Sequence, residues 1–585
     1  MLRAEDYENS QIEIQQEIPE LRKPVPAQSE HSGDFIIKYA QLSSNWKEIL
    51  EDASFQAINA TYGVLYVPLD QIGRLEVDTN SYNTIPKCYT YMDLESLEAS
   101  GITELLNHPY LELRGRGTAV ALIDSGVDYR NPVFQNSSGS RIAWFWDQSL
   151  EGGPDETVPY GKVFLKEDFD RALSGEAADI PVMTDENGHG TALGATAAGS
   201  PDLAQNFSGA APEAQLIVVR LKPAKAYLRE FYLFPPEAEV FQENDVMFGI
   251  AYAMEAARQR QLPMSLCIGL GSSQGAHIGK SPLCSYMDYV AGFAQNCISV
   301  AAGNEGTARH HFYGRISSGE GASVAELRVG EREEGFTMEL WAEPPGLYQI
   351  SLQSPTGETL DISSSLGVRT QELKFVFVET RVEVNYIAVE RQTGNFLVYF
   401  RFLQPAAGLW KIIVRKGAGA IAAESDQTGF HIWLPVRRLI SEDTYFLESS
   451  PYNTITSPGD AIDSITCTAY QYRDNSFYLE AGRGFAPDGS VLPQIAAPGV
   501  EIRVPSLTGG FSLVSGTSLA AAQTAGAAAL MLEWAIVREN EPFFTGNNVM
   551  HYLRRGAKRD RGLTYPNREW GYGKLDLYHA FEFLG

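Results

Sequence analysis

Hydrophobic residues along this chain keep two different periods, and the changes between them mark its domains. Between residues 92 and 315, short apolar runs alternate with stretches of helical spacing. Runs at 118–123, 216–221, 264–270 and 298–302 read as buried strands, and Asp245 is placed to cap an amphipathic helix reaching Arg260. Apolar strands separated by helices predict an α/β unit, with a parallel sheet covered by helices on both faces. From 316 to 436 the period shortens to two. Runs at 336–341, 348–352, 374–378, 397–402 and 408–414 predict the short, regularly spaced strands of a β-sandwich or jelly roll. The first pattern returns after this block, with 484–500 leading the chain back, so the β block reads as an insertion and 437–585 as the rest of the α/β unit.

Upstream, residues 34–91 carry a smaller alternation: strands at 34–39 and 63–68, helical spacing at 46–58, a short helix at 70–75, and an extended stretch at 85–91 that includes Pro86. About 60 residues make a marginal core alone, so this small α/β unit is expected to lean on a larger neighbour. Residues 1–33 are polar and acidic and predict a flexible arm. The most apolar stretch, 519–536, is interrupted by Gln523, Thr524 and Glu533 and is rich in alanine. That composition predicts a buried core helix rather than a membrane span.

Composition narrows the function classes. With 44% hydrophobic and 20% charged residues among 585, the chain has room for two or more domains and a large core. A formal charge of −27 argues against nucleic acid as a partner, because phosphates would be repelled. The five cysteines, Cys88, Cys267, Cys284, Cys297 and Cys467, are odd in number and lack metal-ligand spacing, which suits free thiols in a reducing compartment. The acidic start, Met1-Leu2-Arg3-Ala4-Glu5-Asp6, lacks the basic and apolar segments of a secretory signal, so an intracellular location is expected.

The chemistry sits in four islands. Asp124 lies in Ile123-Asp124-Ser125-Gly126, at the end of an expected strand, and His189 lies in Asn187-Gly188-His189-Gly190-Thr191. Asn304 follows another expected strand in Ala302-Gly303-Asn304-Glu305, and Ser518 lies in Ser515-Gly516-Thr517-Ser518-Leu519, where a small-residue turn enters a helix. Alone, each is a common turn, loop or cap. Together and in the order Asp, His, Ser they supply what acyl transfer at an amide needs. Ser518 is the candidate nucleophile, His189 the base, and Asp124 the group that orients and stabilises the imidazolium. The Asn304 amide with the Ser518 backbone N–H would form the oxyanion hole. Gly269-Leu270-Gly271 offers a strand edge for an extended substrate. No spacing predicts a metal or cofactor site.

These motifs resemble the subtilase family of serine peptidases. Asp124 matches its Asp-Ser/Thr-Gly motif, His189 its His-Gly-Thr motif, Asn304 its Gly-Asn motif and Ser518 its Gly-Thr-Ser-x-Ala motif. Ala497-Pro498-Gly499-Val500 also matches a common approach to the serine. The chain departs from the family in carrying Ala522 where a proline is usual and Gly269 where serine is frequent. Alanine is at least as good a helix former, and strand pairing does not need the serine side chain. The resemblance implies a subtilisin-like fold over 92–315 and 437–585 and activity on protein substrates. Subtilases often bind calcium, but no loop here identifies a site.

Three stretches are more specifically similar to the Csp germination subtilases of anaerobic spore-formers: 94–102, 271–277 and 517–522. So is the inserted β block. In that family the N-terminal unit is a prodomain, cut by the enzyme itself and retained non-covalently as chaperone and inhibitor. The jelly roll locks the fold, and the substrate is the zymogen of a cortex-lytic hydrolase. The resemblance therefore implies a prodomain at 34–91, processing near Tyr91 or Met92, and a spore-associated role. Two other readings stay open: a germination scaffold without activity, and a general intracellular subtilase. The intact Asp124, His189, Asn304 and Ser518 set weighs against the first, and the β insertion against the second.

Overall fold

The computed structural model describes residues 26–39, 53–91 and 100–584, less 73–74, 76, 78–81, 107, 153–156, 177–178, 183, 203, 206, 317–320, 345–346, 364–369 and 417–428. Residues 1–25, Met92 and most of the helix expected at 46–58 lie outside the described residues.

An eight-stranded sheet organises the α/β unit. Its order is Ile495–Pro498, Ile465–Tyr470, Asn296–Ala301, Met264–Ile268, Ala119–Asp124, Gln215–Arg220, Ile142–Asp147 and Lys162–Leu165. All neighbours pair in parallel except the last two strands, which are antiparallel. The central strand Ala119–Asp124 is buried at every position, as a strand covered on both faces must be. One face packs on helices Glu243–Gln259 and Pro282–Ala291, and the other on His189–Ala198 and Thr517–Leu532.

The last two helices are buried along their whole length. The span Thr517–Val537 is long and apolar enough to cross a membrane, yet 83% of that window is buried inside the fold. Its small residues let it lie against its neighbours at backbone distance. A Cβ added to Gly526 would fall 2.4 Å from Ala210 Cβ and 2.5 Å from the carbonyl oxygen of Ala197 on the histidine helix. Glu533 anchors the far end: Oε2 accepts backbone N–H bonds from Arg114, Gly115 and Arg116 at 2.8, 2.7 and 3.1 Å.

The N-terminal residues form an antiparallel sheet ordered Ser32–Lys38, Tyr62–Pro68, Ser54–Ala57. The segment expected to be helical to residue 58 is thus a strand over Ser54–Ala57. Asn59 Oδ1 accepts from Thr61 and Tyr62 N–H at 2.7 and 2.8 Å, which reverses the chain into a hairpin. The end of the expected flexible arm is docked instead: Gln28 Nε2 donates to the Gln148 and Leu150 carbonyls, and Ala27 is buried. Ile36, Val64, Tyr66 and Tyr89 share one core with helices Glu243–Gln259 and Pro282–Ala291.

Two antiparallel sheets, of six and five strands, occupy the region expected to form a β block and enclose a common core that includes Phe336, Phe400, Trp410 and Ile412. They also take in His311–Arg315 and Tyr445–Phe446. The strand expected at 374–378 is found at Gln371–Lys374. Beyond it Glu358 Oε2 takes the Val376 and Phe377 N–H groups, so both side chains turn outward. Asp245 is not a cap: the helix begins at Glu243, and the buried Asp245 carboxylate accepts from Tyr160 Oη at 2.6 Å.

Gly526→Ala should force the serine and histidine helices apart and destabilise the fold by about 1–3 kcal/mol, read as a lower urea midpoint.

Candidate active site

Asp124 closes its strand at the carboxyl edge of the parallel sheet, where such sheets present functional groups. The chain then turns through Ser125 and Gly126 against the start of helix His189–Ala198. Gly126 has φ 101°, and a Cβ on it would sit 2.0 Å from the Thr184 carbonyl oxygen. A Cβ on Gly190 would fall 2.0 Å from the Gly126 carbonyl oxygen. Only glycine fits at either position, so the backbones carrying Asp124 and His189 touch. That contact places His189 Nδ1 2.7 Å from Asp124 Oδ1. Both side chains are buried. A carboxylate at Nδ1 holds the proton there and leaves Nε2 as an acceptor. Nε2 lies 3.4 Å from Ser518 Oγ, a separation of the kind that shortens once substrate is bound. Ser518 is the second residue of helix Thr517–Leu532. Residues 65 and 329 positions apart thus form one line of carboxylate, imidazole and hydroxyl.

Asn304 follows strand Asn296–Ala301 beside that line. Its Oδ1 accepts from Thr517 N–H at 3.2 Å and from Thr517 Oγ1 at 3.1 Å, while Thr517 Oγ1 accepts from Gly303 N–H at 3.1 Å. With its carbonyl committed to the residue before Ser518, the Asn304 side chain presents its NH₂ as the donor.

The expected continuous strand at 264–270 breaks at Gly269. Its backbone leaves the parallel sheet after Ile268 and joins another sheet at Leu270–Gly271. Crowding accounts for the break: a Cβ on Gly269 would approach Leu193 Cδ1 to 2.9 Å, Ser518 Cβ to 3.0 Å and His189 Cε1 to 3.1 Å. Leu270 pairs with Tyr91 and Gly271 with Thr90, antiparallel. On the other side Phe241 pairs with Tyr89 and Gln242 with Cys88. The chain's own Cys88–Tyr91 is thus the middle strand of three, and its Tyr91 end pairs next to Gly269, the residue crowded against Ser518. Tyr89 is buried, and Cys88 N–H donates to Gln274 Oε1 at 3.0 Å.

Sequence reasoning missed the second edge strand, Phe241–Gln242, whose two residues carry no strand signal alone. It also missed Asp185, one of 73 acidic residues, which lies buried under Ser125 and the histidine turn. Burial leaves the Asp185 carboxyl above the usual range, although bonds from Thr191, Ser125 and Gly188 offset part of the rise. A cleft of about 470 Å³ opens beside this region, lined by Ser125, Asn187, Arg220, Glu239 and Phe241. Among the described residues no group of three or more His, Cys, Asp or Glu side chains is arranged to hold a metal.

Comparison with known proteins gives this arrangement a family. The structure is similar to that of the CspB protease of Clostridium perfringens, with a TM-score of 0.72 and 28% sequence identity over 83% of this chain and 96% of that one. The chain is also 31% identical over 139 residues to the membrane-bound transcription factor site-1 protease of Mus musculus, and 30% identical to its Homo sapiens counterpart. Those matches take in 23% of this chain and 13% of each relative's length. A model of the subtilase family matches residues 115–330 and 442–573, more than half of the chain. The chain therefore belongs to the subtilase family of serine peptidases and has the subtilisin-like α/β fold.

Proposed function

We propose that this serine peptidase is an endopeptidase in which Ser518 is the nucleophile, His189 its general base and then acid, and Asp124 the group that orients and stabilises the imidazolium. Asn304 and the Ser518 backbone N–H receive the oxyanion. One observation carries the reading: the Ser518–His189–Asp124 line, with an extended strand laid along Leu270–Gly271 beside it.

That strand belongs to the chain itself, which supports a prodomain at 34–91 that the enzyme cuts near Tyr91 or Met92 and then retains. Three features favour retention. Lys225 Nζ lies 2.5 Å from Asp34 Oδ1 and also donates to Ser32 Oγ and the Pro26 carbonyl, with both charged side chains almost fully enclosed. Burial pushes the Lys225 ammonium below its usual range, and Asp34 offsets part of that shift. Asp34 Oδ2 also accepts from Gln242 and Asn244. From the β block, Glu339 accepts from Tyr82 Oη at 2.6 Å and Glu390 from Asn83 at 2.8 Å. We read the two sheets as a jelly roll that clamps the prodomain against the catalytic unit. The interruption of the family match between 330 and 442 supports its being an insertion.

Likeness to the CspB protease and to the germination-subtilase motifs supports a role in spore germination, with the zymogen of a cortex-lytic hydrolase as substrate.

Ser518→Ala should lower turnover of a peptide substrate by on the order of 10⁶, and Asn304→Ala by roughly 10² to 10³. Undiminished hydrolysis by the Asn304 variant would remove it from the oxyanion role. Intact-mass analysis should find the wild type cut near Tyr91 or Met92 and Ser518→Ala whole; self-processing is wrong if both or neither are cut there. Lys225→Met leaves Asp34 enclosed without its cation and should weaken prodomain docking by about 3–5 kcal/mol. The cut fragment should then separate from the catalytic unit on size exclusion, whereas in the wild type the two co-elute.

A further inference from the structure

The buried carboxylate of Asp185 is the strongest unassigned group near the reacting atoms. It lies on neither reacting side chain, yet it is bonded to both segments that carry them. Its Oδ1 is 2.8 Å from Ser125 Oγ and 3.0 Å from Gly188 N. Its Oδ2 is 2.8 Å from Thr191 N and 2.6 Å from Thr191 Oγ1.

The directions of these bonds can be worked out. Thr191 Oγ1 accepts from Asp128 N–H at 2.8 Å, so its own proton is free to go to Asp185. Ser125 Oγ accepts from Gly190 N–H at 3.0 Å, so its proton goes to a carboxylate. Two are within reach: Asp124 Oδ1 at 3.2 Å and Asp185 Oδ1 at 2.8 Å. The shorter contact and the free lone pairs favour Asp185. Four donors then converge on two oxygens, which is the pattern of an ionised carboxylate. Ser125 bridges two carboxylates, its hydroxyl donating to Asp185 and its N–H to Asp124 Oδ1 at 2.8 Å, while Gly188, Gly190 and Thr191 tie the same cluster to the first turn of the histidine helix.

We propose that Asp185 is a positioning residue for the peptidase reaction: it clamps the Ser125 loop to the 188–191 turn, so setting Asp124 against His189, and adds a second negative charge near the imidazolium. The inference rests on the reading of Asp124, His189 and Ser518 as the reacting set. Other ionisable groups around this cluster are few. Asp128 follows in the same loop, and the Cys267 thiol lies under Asp124 with its pKa raised by burial. Arg220, beside Gly126, is engaged by Asp147 and Glu186, and Glu239 meets Asn187.

The test uses the full chain as wild type, Ser518→Ala, Asp185→Asn and Ser125→Ala. Three readouts apply: the rate of fluorophosphonate labelling, the rate of self-cleavage, and kcat and KM on a peptide, each over a pH series spanning the histidine range. Asp185→Asn should lower kcat by roughly 10- to 100-fold with KM little changed. Its acid limb should move to lower pH, because a charge that stabilises the imidazolium is gone. Ser125→Ala keeps Asp185 but cuts the bridge, and should show a smaller loss of kcat in the same direction. Wild-type rates and an unmoved acid limb in Asp185→Asn would overturn the proposal. So would a loss of rate that only follows a loss of folded protein by circular dichroism, with the limb in place. If Ser518→Ala matches the wild type in every readout, the assignment of the reacting set is itself wrong and this proposal falls with it. If Ser518→Ala alone is inactive, only the role of Asp185 is refuted.

Discussion

Contact between two helices built almost entirely of small residues is the constraint on which this site depends. The serine helix and the histidine helix both lie on the same face of the parallel sheet, and Gly526 meets Ala197 and Ala210 with no room for another carbon. Leucine-sized side chains at that contact would hold the helices further apart. Ser518 could then no longer reach His189. The alanine and glycine that make 517–537 apolar enough for a bilayer are thus the means of placing a hydroxyl inside a protein core.

The sheet supplies the remaining groups. Asp124 and Asn304 stand at the carboxyl ends of the two strands that flank Met264–Ile268, and at Gly269 that middle strand leaves the sheet beside Ser518 and His189. Because the parallel sheet is rigid and covered on both faces, these positions are held without the reacting residues having to bond one another strongly. The cost falls on the surroundings, which bury carboxylates and must supply them with donors. Asp185, Glu533 and Asp34 show how: each is enclosed and each accepts several donors. The N-terminal unit, the β block and the α/β unit also share one apolar cluster through Ile85, Leu228 and Trp341. Separating any one of them exposes the faces of the others.

Much of the Asp124–His189–Ser518 line was legible because its constraints are local. Asp-Ser-Gly after an apolar run and His-Gly-Thr before a small-residue run each encode a strand end or helix start together with a close backbone approach, and the glycines mark the approach. What depends on distant partners was not legible. Asp185 and the Asp34–Lys225 pair are ordinary charged residues until folding encloses them. The strand Ile465–Tyr470 alternates threonine with isoleucine, cysteine and alanine and lacks the unbroken apolar run that opens Ala119–Asp124. Residues 54–57 follow a helical spacing, but pairing with Tyr62–Pro68 overrides it. Asp245 has the composition of a cap and the neighbours of a buried polar cluster, and the neighbours decide.

The central claim is that Ser518 reacts because His189, oriented by Asp124, removes its proton. The most direct measurement is mass-spectrometric mapping of a fluorophosphonate adduct on the wild type and on His189→Ala. The account predicts an adduct on Ser518 in the wild type and nearly none in the variant. An adduct on another residue, or equal modification of Ser518 without the imidazole, would contradict it.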